Sequence, residues 1–127
     1  MLGIALNDDE RVLVVRTPKG LQLPGGGIDD DETPQAALER EFLEETGWDI
    51  EVGDEIGHAV QYTADLLQAR KKLCRFFRVD VQQVSSLPSE GDHEPVWMRR
   101  SEAARLLKED AQRWALRDLV QNGDTIS

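Results

Sequence analysis

A glycine-rich turn followed at once by an acidic helix is the feature that most constrains how this chain folds. The stretch 23–48 reads LPGGGIDDDETPQAALEREFLEETGW. Its consecutive glycines, 25–27, can adopt backbone conformations that are closed to other residues. Thr33 is typical of a helix N-cap, Pro34 of the first helical position and Gly47 of the residue that ends a helix. The sequence therefore predicts a glycine loop followed by a helix over 34–46.

Three glutamates of this helix share one face. At about 100° per residue, Glu44 and Glu45 flank Glu41 within an arc of roughly 100°. Such carboxylates repel one another unless a cation lies among them, and a hard divalent cation such as Mg²⁺ prefers oxygen ligands. Arg40 lies beside Glu41, and we expect it to pair with a carboxylate and keep it ionised and oriented. The helix face is therefore a candidate metal site.

The composition indicates an ordinary globular protein. With 127 residues, 39% of them hydrophobic, the chain can bury a core, and we expect residues 1–127 to form a single domain. Cys74 is the only cysteine, which excludes an intramolecular disulfide and a cysteine-rich zinc site. No basic-then-apolar leader and no apolar run of about 18 residues is present, so the sequence predicts a cytoplasmic protein that enters no membrane.

The net charge of −10 restricts the partners of the chain. Acidic residues crowd the segment 29–55, in which Arg40 is the only base. Duplex nucleic acid is bound mainly by cationic surface, so we expect no such partner. A phosphate-bearing substrate could approach the acidic helix only with metal ions in between.

The rest of the chain alternates predicted strands with turns, and it ends in a predicted helix. Residues 65–70 read as a loop or a helical turn, and residues 82–93 as a long loop. A basic cluster could bind a nucleotide, or it could lie on a strand that faces solvent. The cluster consists of Arg70, Lys71, Lys72, Arg75 and Arg78. The predicted elements are strands at 2–6, 11–16, 21–23, 48–52, 55–64, 73–81 and 94–98, with turns at 7–10 and at Gly53-Asp54, and a helix over 102–120 capped by Ser101.

The stretch from Gly26 to Trp48 resembles the Nudix box, Gly-x5-Glu-x7-Arg-Glu-U-x-Glu-Glu-x-Gly-U, where U is a bulky apolar residue. Seven of the matching positions are fixed residue types, and chance agreement is on the order of 10⁻⁸ per starting point. The box covers a short part of the chain; beyond it the likeness is one of order and pattern. The residues in register are Gly26, Glu32, Arg40, Glu41, Phe42, Glu44, Glu45, Gly47 and Trp48.

The resemblance implies a fold and a reaction. The fold is an α/β/α sandwich in which a mixed β-sheet lies between the glutamate helix and a C-terminal helix. The reaction is hydrolysis of a nucleoside diphosphate linked to another moiety, with Mg²⁺ or Mn²⁺. Glu41, Glu44, Glu45 and the carbonyl group of Gly25 would hold the metal. Glu44 or Glu41 would also accept the proton of the attacking water, and Glu32 would hold the geometry of the loop and the helix.

Two further groups of residues complete the candidate site. Arg16 ends the second strand, where family members commonly face substrate, and it could contact a phosphate or simply be exposed. The N–H groups of Gly26 and Gly27 could cradle a phosphate.

A carboxylate from the late loop returns to the metal site in many Nudix enzymes. Glu94 is the preferred candidate for that carboxylate here, and Glu90 and Asp92 are the alternatives.

The substrate is narrowed by elimination. The array SQPWPFP associated with NADH and the proline associated with ADP-ribose are both absent, and Tyr62 lies near, but not on, the position associated with dinucleoside polyphosphates. The resemblance therefore favours MutT-like clearance of nucleoside di- or triphosphates, oxidised ones included. The alternative is a sensor domain that binds a nucleotide or an ADP-ribose-like ligand without hydrolysing it, against which the intact Arg40-Glu41 and Glu44-Glu45 pairs argue. A homodimer is left open, because a sheet edge near the chain start could be covered by a partner.

Overall fold

The computed structural model describes residues 1–64, 67–88 and 91–120. Among these residues no helix combines the length and the apolar character needed to span a bilayer. The elements are β1 (Leu2–Ala5), β2 (Arg11–Thr17), β3 (Gly20–Gln22), α1 (Pro34–Thr46), β4 (Trp48–Ala64), β5 (Ala69–Val84), β6 (Glu94–Arg99), α2 (Arg100–Leu106), α3 (Asp110–Trp114) and a π-helical segment (Ala115–Leu119).

The strands form two three-stranded sheets that bridge into one layer. The first sheet has the order β1-β5-β4 and is mixed, because β1 runs parallel to β5 and β4 runs antiparallel to it. The second sheet, β3-β2-β6, is antiparallel. Isolated bridges from Leu6 to Val12 and from Leu2 to Gly25 connect the two. The predicted α/β class with a mixed sheet is confirmed.

Hydrophobic cores lie on both faces of this layer. Side chains alternate along β2, so Leu13 packs in the cluster with Leu38 and Phe42 of α1, whereas Val12 and Val14 pack in the cluster that contains α2 and α3 residues. The layer therefore lies between α1 and the C-terminal helices, as the sandwich requires.

Local sequence signals set the ends of α1. The Thr33 hydroxyl accepts a hydrogen bond from the Ala36 N–H at 3.1 Å, and Pro34 occupies the first turn. Gly47 adopts φ +78°, and its N–H donates to the Leu43 carbonyl at 3.0 Å. The prediction of a helix over 34–46 is confirmed. Leu43, although apolar, is 37% exposed.

The turn predicted at Gly53-Asp54 is wrong, because the chain continues through it as the single strand β4. The pairing with β5 shifts register between Val52 and Glu55, so the extra residues are taken up as an irregularity of the ladder. The ladder also extends β5 beyond the predicted 73–81, to Ala69 at one end and Val84 at the other. Long-range pairing has prevailed over the local turn signal.

The single C-terminal helix predicted over 102–120 is also wrong. Helix α2 begins at Arg100 without Ser101 as its cap, and the chain then leaves the helix at Leu107, whose ψ is 138°. The next residue, Lys108, donates its N–H to the Leu21 carbonyl of β3 at 3.0 Å. This pairing breaks the helix, and Leu107 is buried while Leu106 is 52% exposed.

We expect Gly47→Ala to lower the free energy of unfolding by about 1–2 kcal/mol or more, the cost of a left-handed conformation for a residue with a Cβ. The added Cβ would also overlap the Ser86 carbonyl oxygen. Urea unfolding measures the effect. Gly91→Ala is the control, because a Cβ there meets nothing within 4 Å. Equal losses in the two variants would contradict the explanation.

Candidate active site

Helix α1 presents its three glutamates against the glycine loop at different depths. Glu45 is 8% exposed, and its Oε1 accepts a hydrogen bond from the Gly25 N–H at 2.9 Å. The Glu41 side chain is 16% exposed and lies against Gly26, where a Cβ would come within 2.7 Å of the carboxyl group. The Glu44 side chain is 38% exposed. The structure therefore joins two parts of the chain, 25–27 and 41–45, in one site.

The glycine loop is hydrogen-bonded to Met1, the residue that precedes β1. Gly26 donates its N–H to the Met1 carbonyl at 2.9 Å, and the Met1 nitrogen donates to the Gly26 carbonyl at 2.8 Å. Gly25 has φ +148°, and a Cβ there would overlap the Met1 carbonyl oxygen. The Gly26 N–H, predicted to cradle a phosphate, is thus engaged by Met1 in this structure. Gly27 is exposed.

Arg40 is the hub of the acidic site. Its Nε and Nη2 donate to the two Glu32 oxygens at 2.7 and 3.0 Å, and its Nη1 donates to Glu41 Oε1 at 2.8 Å. Its Nη2 also reaches the Gly27 carbonyl at 3.2 Å, and Glu44 Oε2 lies 3.6 Å from Nη1. The expected pairing of Arg40 with a carboxylate is present, and it joins the helix, the loop and two acidic residues.

Glu32 closes the segment between the glycines and the helix. Besides pairing with Arg40, it accepts a hydrogen bond from the Asp29 N–H at 2.8 Å. The Arg40 hydrogen bond, followed by the one from Asp29, lowers the pKa of Glu32 to about 2. The hydrogen bond to Glu32 and, to a smaller extent, the one to Glu41 raise the pKa of Arg40. Both groups are therefore charged at neutral pH, and their bond fixes the start of α1 relative to the loop.

Gln112 is a site-supporting residue that no sequence motif indicated. It is 1% exposed, and its Oε1 accepts a hydrogen bond from the Leu23 N–H at 2.8 Å. Leu23 stands two residues before the first of the three glycines. The only sequence signal is a polar residue inside the helix predicted over 102–120. Helix α3 thus holds the approach to the glycine loop, through a contact between residues far apart in sequence.

Arg16 and Glu94 come together at the end of the β2–β6 ladder. They are directly opposite each other in the register, and both are exposed. Alternation puts Arg16 on the side of Val12 and Val14, which is the face that α2 and α3 cover. The structure therefore places Glu94 next to Arg16, on the face of the layer opposite to α1.

Other sequence-based candidates form contacts of their own. Asp92 is exposed, and its bond to His93 Nδ1 at 2.9 Å lowers the pKa of Asp92. Glu90 lies outside the described residues. In the basic cluster, Arg75 forms a two-point pair with Glu55 at 2.7 and 3.1 Å, and this raises the pKa of Arg75.

The donor set of the helix face fits a hard cation, because it consists of carboxylate and carbonyl oxygens. In the part of the chain that the structure describes, no three acidic, histidine or cysteine side chains yet approach closely enough to hold a metal. The cause is visible in the contacts, since Glu41 is bonded to Arg40 and Glu45 to the Gly25 N–H. A cation would have to exchange with these partners.

Comparison with known proteins gives a family match over nearly the whole chain. The model described as "NUDIX domain" matches residues 2–120. A protein of Streptomyces ambofaciens described as "MutT-like protein" is 39% identical over 57 residues, which cover 43% of this chain and 37% of that relative. The chain thus matches well under half the length of this relative.

Solved structures show the same fold. A NUDIX hydrolase from Nitrosomonas europaea superposes with a TM-score of 0.75 at 19% identity, covering 92% of this chain and 84% of the other. The E. coli dihydroneopterin triphosphate pyrophosphohydrolase superposes with a TM-score of 0.74 at 18% identity, covering 93% and 92%. At these identities the likeness concerns the fold alone.

We expect Glu32→Gln to remove part of the acid sensitivity of folding. The folded-state pKa is lowered from 4.5 to about 2, so the charged pair contributes stability above about pH 4.5 and loses it as the pH falls through about 2. The difference in unfolding free energy between the native protein and the variant should therefore shrink over that window. Urea unfolding from about pH 5 to about pH 2 measures it. Glu39→Gln, on the same helix, is the control, and a constant difference would refute the assignment.

Gln112→Leu should cost about 1–3 kcal/mol of unfolding free energy, because it leaves the buried Leu23 N–H without its acceptor. The same substitution at the exposed Gln82 of β5 serves as the reference. Chemical denaturation of both variants gives the comparison. A loss no greater than that of Gln82→Leu would show that the loop does not depend on this bond.

Proposed function

This chain belongs to the Nudix family, and from that premise we propose that it is a hydrolase that cleaves the diphosphate bridge of a nucleoside diphosphate linked to another group. The observation that carries the proposal is the packing of Glu41 and Glu45 against the glycine loop, with Arg40 among them. MutT-like clearance of nucleoside triphosphates, oxidised ones included, is the favoured form. The name of the Streptomyces ambofaciens relative supports it.

The glutamate face holds Mg²⁺ or Mn²⁺ in this proposal. Glu41, Glu44 and Glu45 would provide carboxylate oxygens, and Gly25 its backbone carbonyl. A bound ion would supply neutralisation of the diphosphate charge and activation of a water molecule. The chemistry of the donors supports this assignment, and Arg40 and the Gly25 N–H keep two of the carboxylates oriented toward the loop.

Glu44, rather than Glu41, is the residue that accepts the proton of the attacking water. The Glu44 side chain is the most accessible of the three, at 38% exposure, and its nearest Arg40 contact is the longer one, 3.6 Å. One oxygen of Glu41, in contrast, accepts a hydrogen bond from Arg40 at 2.8 Å. Arg40 therefore serves to position Glu41, and Glu44 serves as the base.

The remaining residues bind the substrate. Gly26 and Gly27 line the loop against which the phosphates lie, and Arg16 contacts a phosphate at the end of β2. Glu94, opposite Arg16 in the ladder, is the candidate for the late carboxylate; because alternation puts it on the face away from α1, its side chain would have to turn around the end of the ladder to reach the metal. The partner is a small nucleotide-type molecule, handled by one domain, residues 1–127, in the cytoplasm. The net charge of −10 supports the exclusion of duplex nucleic acid.

A non-hydrolysing nucleotide or ADP-ribose sensor is the second candidate. The hydrogen bonds of Glu41 with Arg40 and of Glu45 with the Gly25 N–H favour the sensor to a degree, because a sensor does not need these carboxylates to bind a metal. The intact acidic face of α1 argues for the hydrolase.

A substrate panel with matched variants tests the proposal. The protein with Mg²⁺ or Mn²⁺ is given dNTPs, 8-oxo-dGTP, NDPs, ADP-ribose, NADH, nucleotide sugars and diadenosine polyphosphates, and the products are resolved. We expect one class to be turned over, and Glu44→Gln to lower kcat by about 100-fold or more, the range for loss of a general base. Glu45→Gln should also abolish turnover with the loop intact, because the amide oxygen can still accept the Gly25 N–H. Glu39→Gln, exposed on the same helix, should leave kcat unchanged.

Calorimetric titration of the metal separates the other outcomes. Absence of metal binding would refute the mechanism. Metal binding with tight retention of a ligand and no turnover across the panel would favour the sensor. Equal losses in Glu44→Gln and Glu39→Gln would refute the assignment of the base.

A further inference from the structure

A cavity of about 780 Å³ opens between the start of β2, the end of β6 and the C-terminal helices. Four arginines line it: Arg11 at the start of β2, Arg99 at the end of β6, Arg100 at the start of α2 and Arg117 in the π-helical segment. Arg11 is five residues from Arg16 along β2, which is about 17 Å at 3.3 Å per residue. No residue of α1 or of the glycine loop lines the cavity, so the cavity is separate from the site built on α1. Its volume is in the range of small-ligand sites.

The arginines are arranged at a cost to the fold. Arg11 and Arg99 are directly opposite each other in the β2–β6 ladder, a position where like charges destabilise a sheet. In the described residues neither side chain takes part in a hydrogen bond or an ion pair, and the same holds for Arg117. A ligand can therefore recruit these guanidinium groups without breaking an existing pair.

The walls of the cavity indicate the chemistry of its ligand. Arginine is the residue suited to phosphate, because its planar group offers several donors in a fixed fork. Ala104, Leu116 and Val120 add an apolar part to the lining. Asp9 and Glu10 also line the opening, so the arginines outnumber the acids by four to two. This excess of positive charge occurs in a chain whose net charge is −10.

We propose that the cavity between the start of β2, the end of β6 and the π-helical segment is a second binding site, for a small anion with at least two phosphate-type charges. Arg11 and Arg99 are the residues that bind the anion, and Arg117 adds a third cation. The site needs no metal, unlike the site proposed on α1. It is independent of the hydrolytic proposal, because none of its residues belongs to the glutamate face or to the glycine loop.

Calorimetric titration with inorganic pyrophosphate in the presence of EDTA tests this site. Without a divalent cation the acidic face of α1 repels the anion, so binding reports on the arginines. We expect a Kd below about 1 mM for the full chain. Arg11→Gln with Arg99→Gln in one protein should weaken binding about tenfold or more. The double variant should unfold at no lower urea concentration than the native protein, because it removes a like-charge pair.

Arg70→Gln with Lys71→Gln is the matched control. It makes the same change in net charge on two exposed residues of β5, away from the cavity. Binding should change by less than about twofold in this control. Amide chemical shifts should move in the segments around residues 11, 99 and 117. Equal weakening in the two double variants, shifts confined to 69–78, or no binding by the native protein would each overturn the proposal.

A parallel titration with ADP identifies the source of the anion. If ADP binds more tightly than pyrophosphate, the adenosine part of ADP contacts the apolar lining, and the ligand of the cavity is a phosphate ester. Equal affinities would support free pyrophosphate. Either result supports a phosphate-type anion as the ligand, provided that Arg11→Gln with Arg99→Gln weakens the binding of both compounds about tenfold or more. Nudix-site turnover, measured with Mg²⁺ in the same variant, should stay unchanged, so failure of this site and failure of the hydrolase proposal are distinguishable.

Discussion

The contact between Arg40 and its carboxylates is the interaction on which the acidic site depends. Without a cation at its centre, the face of α1 and the acidic segment before it would repel each other. The guanidinium group binds both oxygens of Glu32 at 2.7 and 3.0 Å and one oxygen of Glu41 at 2.8 Å. Because Arg40 also reaches the Gly27 carbonyl, one side chain fixes the loop to the helix. The low pKa of Glu32 follows from the same bond.

The glycine loop is held from three directions, and this explains its particular residues. The first strand contacts it through Met1, α1 through Glu45, and α3 through the Gln112 bond to Leu23. A Cβ at Gly25 would overlap the Met1 backbone, and a Cβ at Gly26 would crowd the Glu41 carboxyl group. The loop is therefore a close-packed junction rather than an open turn. Its glycines serve close approach as much as backbone freedom.

Charge is segregated along the molecule. The acidic face of α1 suits a cation, while the arginine-lined cavity at the far end of β2 suits an anion. On the β4–β5 ladder, Arg75 is paired with Glu55, so part of the basic cluster neutralises neighbouring acid. A net charge of −10 thus conceals surfaces of opposite sign.

The sequence by itself determined what depends on short-range chemistry. Thr33, Pro34 and Gly47 set the ends of α1, and a period of 3.6 residues put Glu41, Glu44 and Glu45 on one face. Tertiary structure decided what depends on distant partners. Pairing with β5 carried β4 through the Gly53-Asp54 signal, and the Lys108 bond to Leu21 broke the last helix. The support from Gln112 and the opposition of Arg11 to Arg99 could not be read from the chain, because each joins segments about 90 residues apart that only the assembled layer brings into contact.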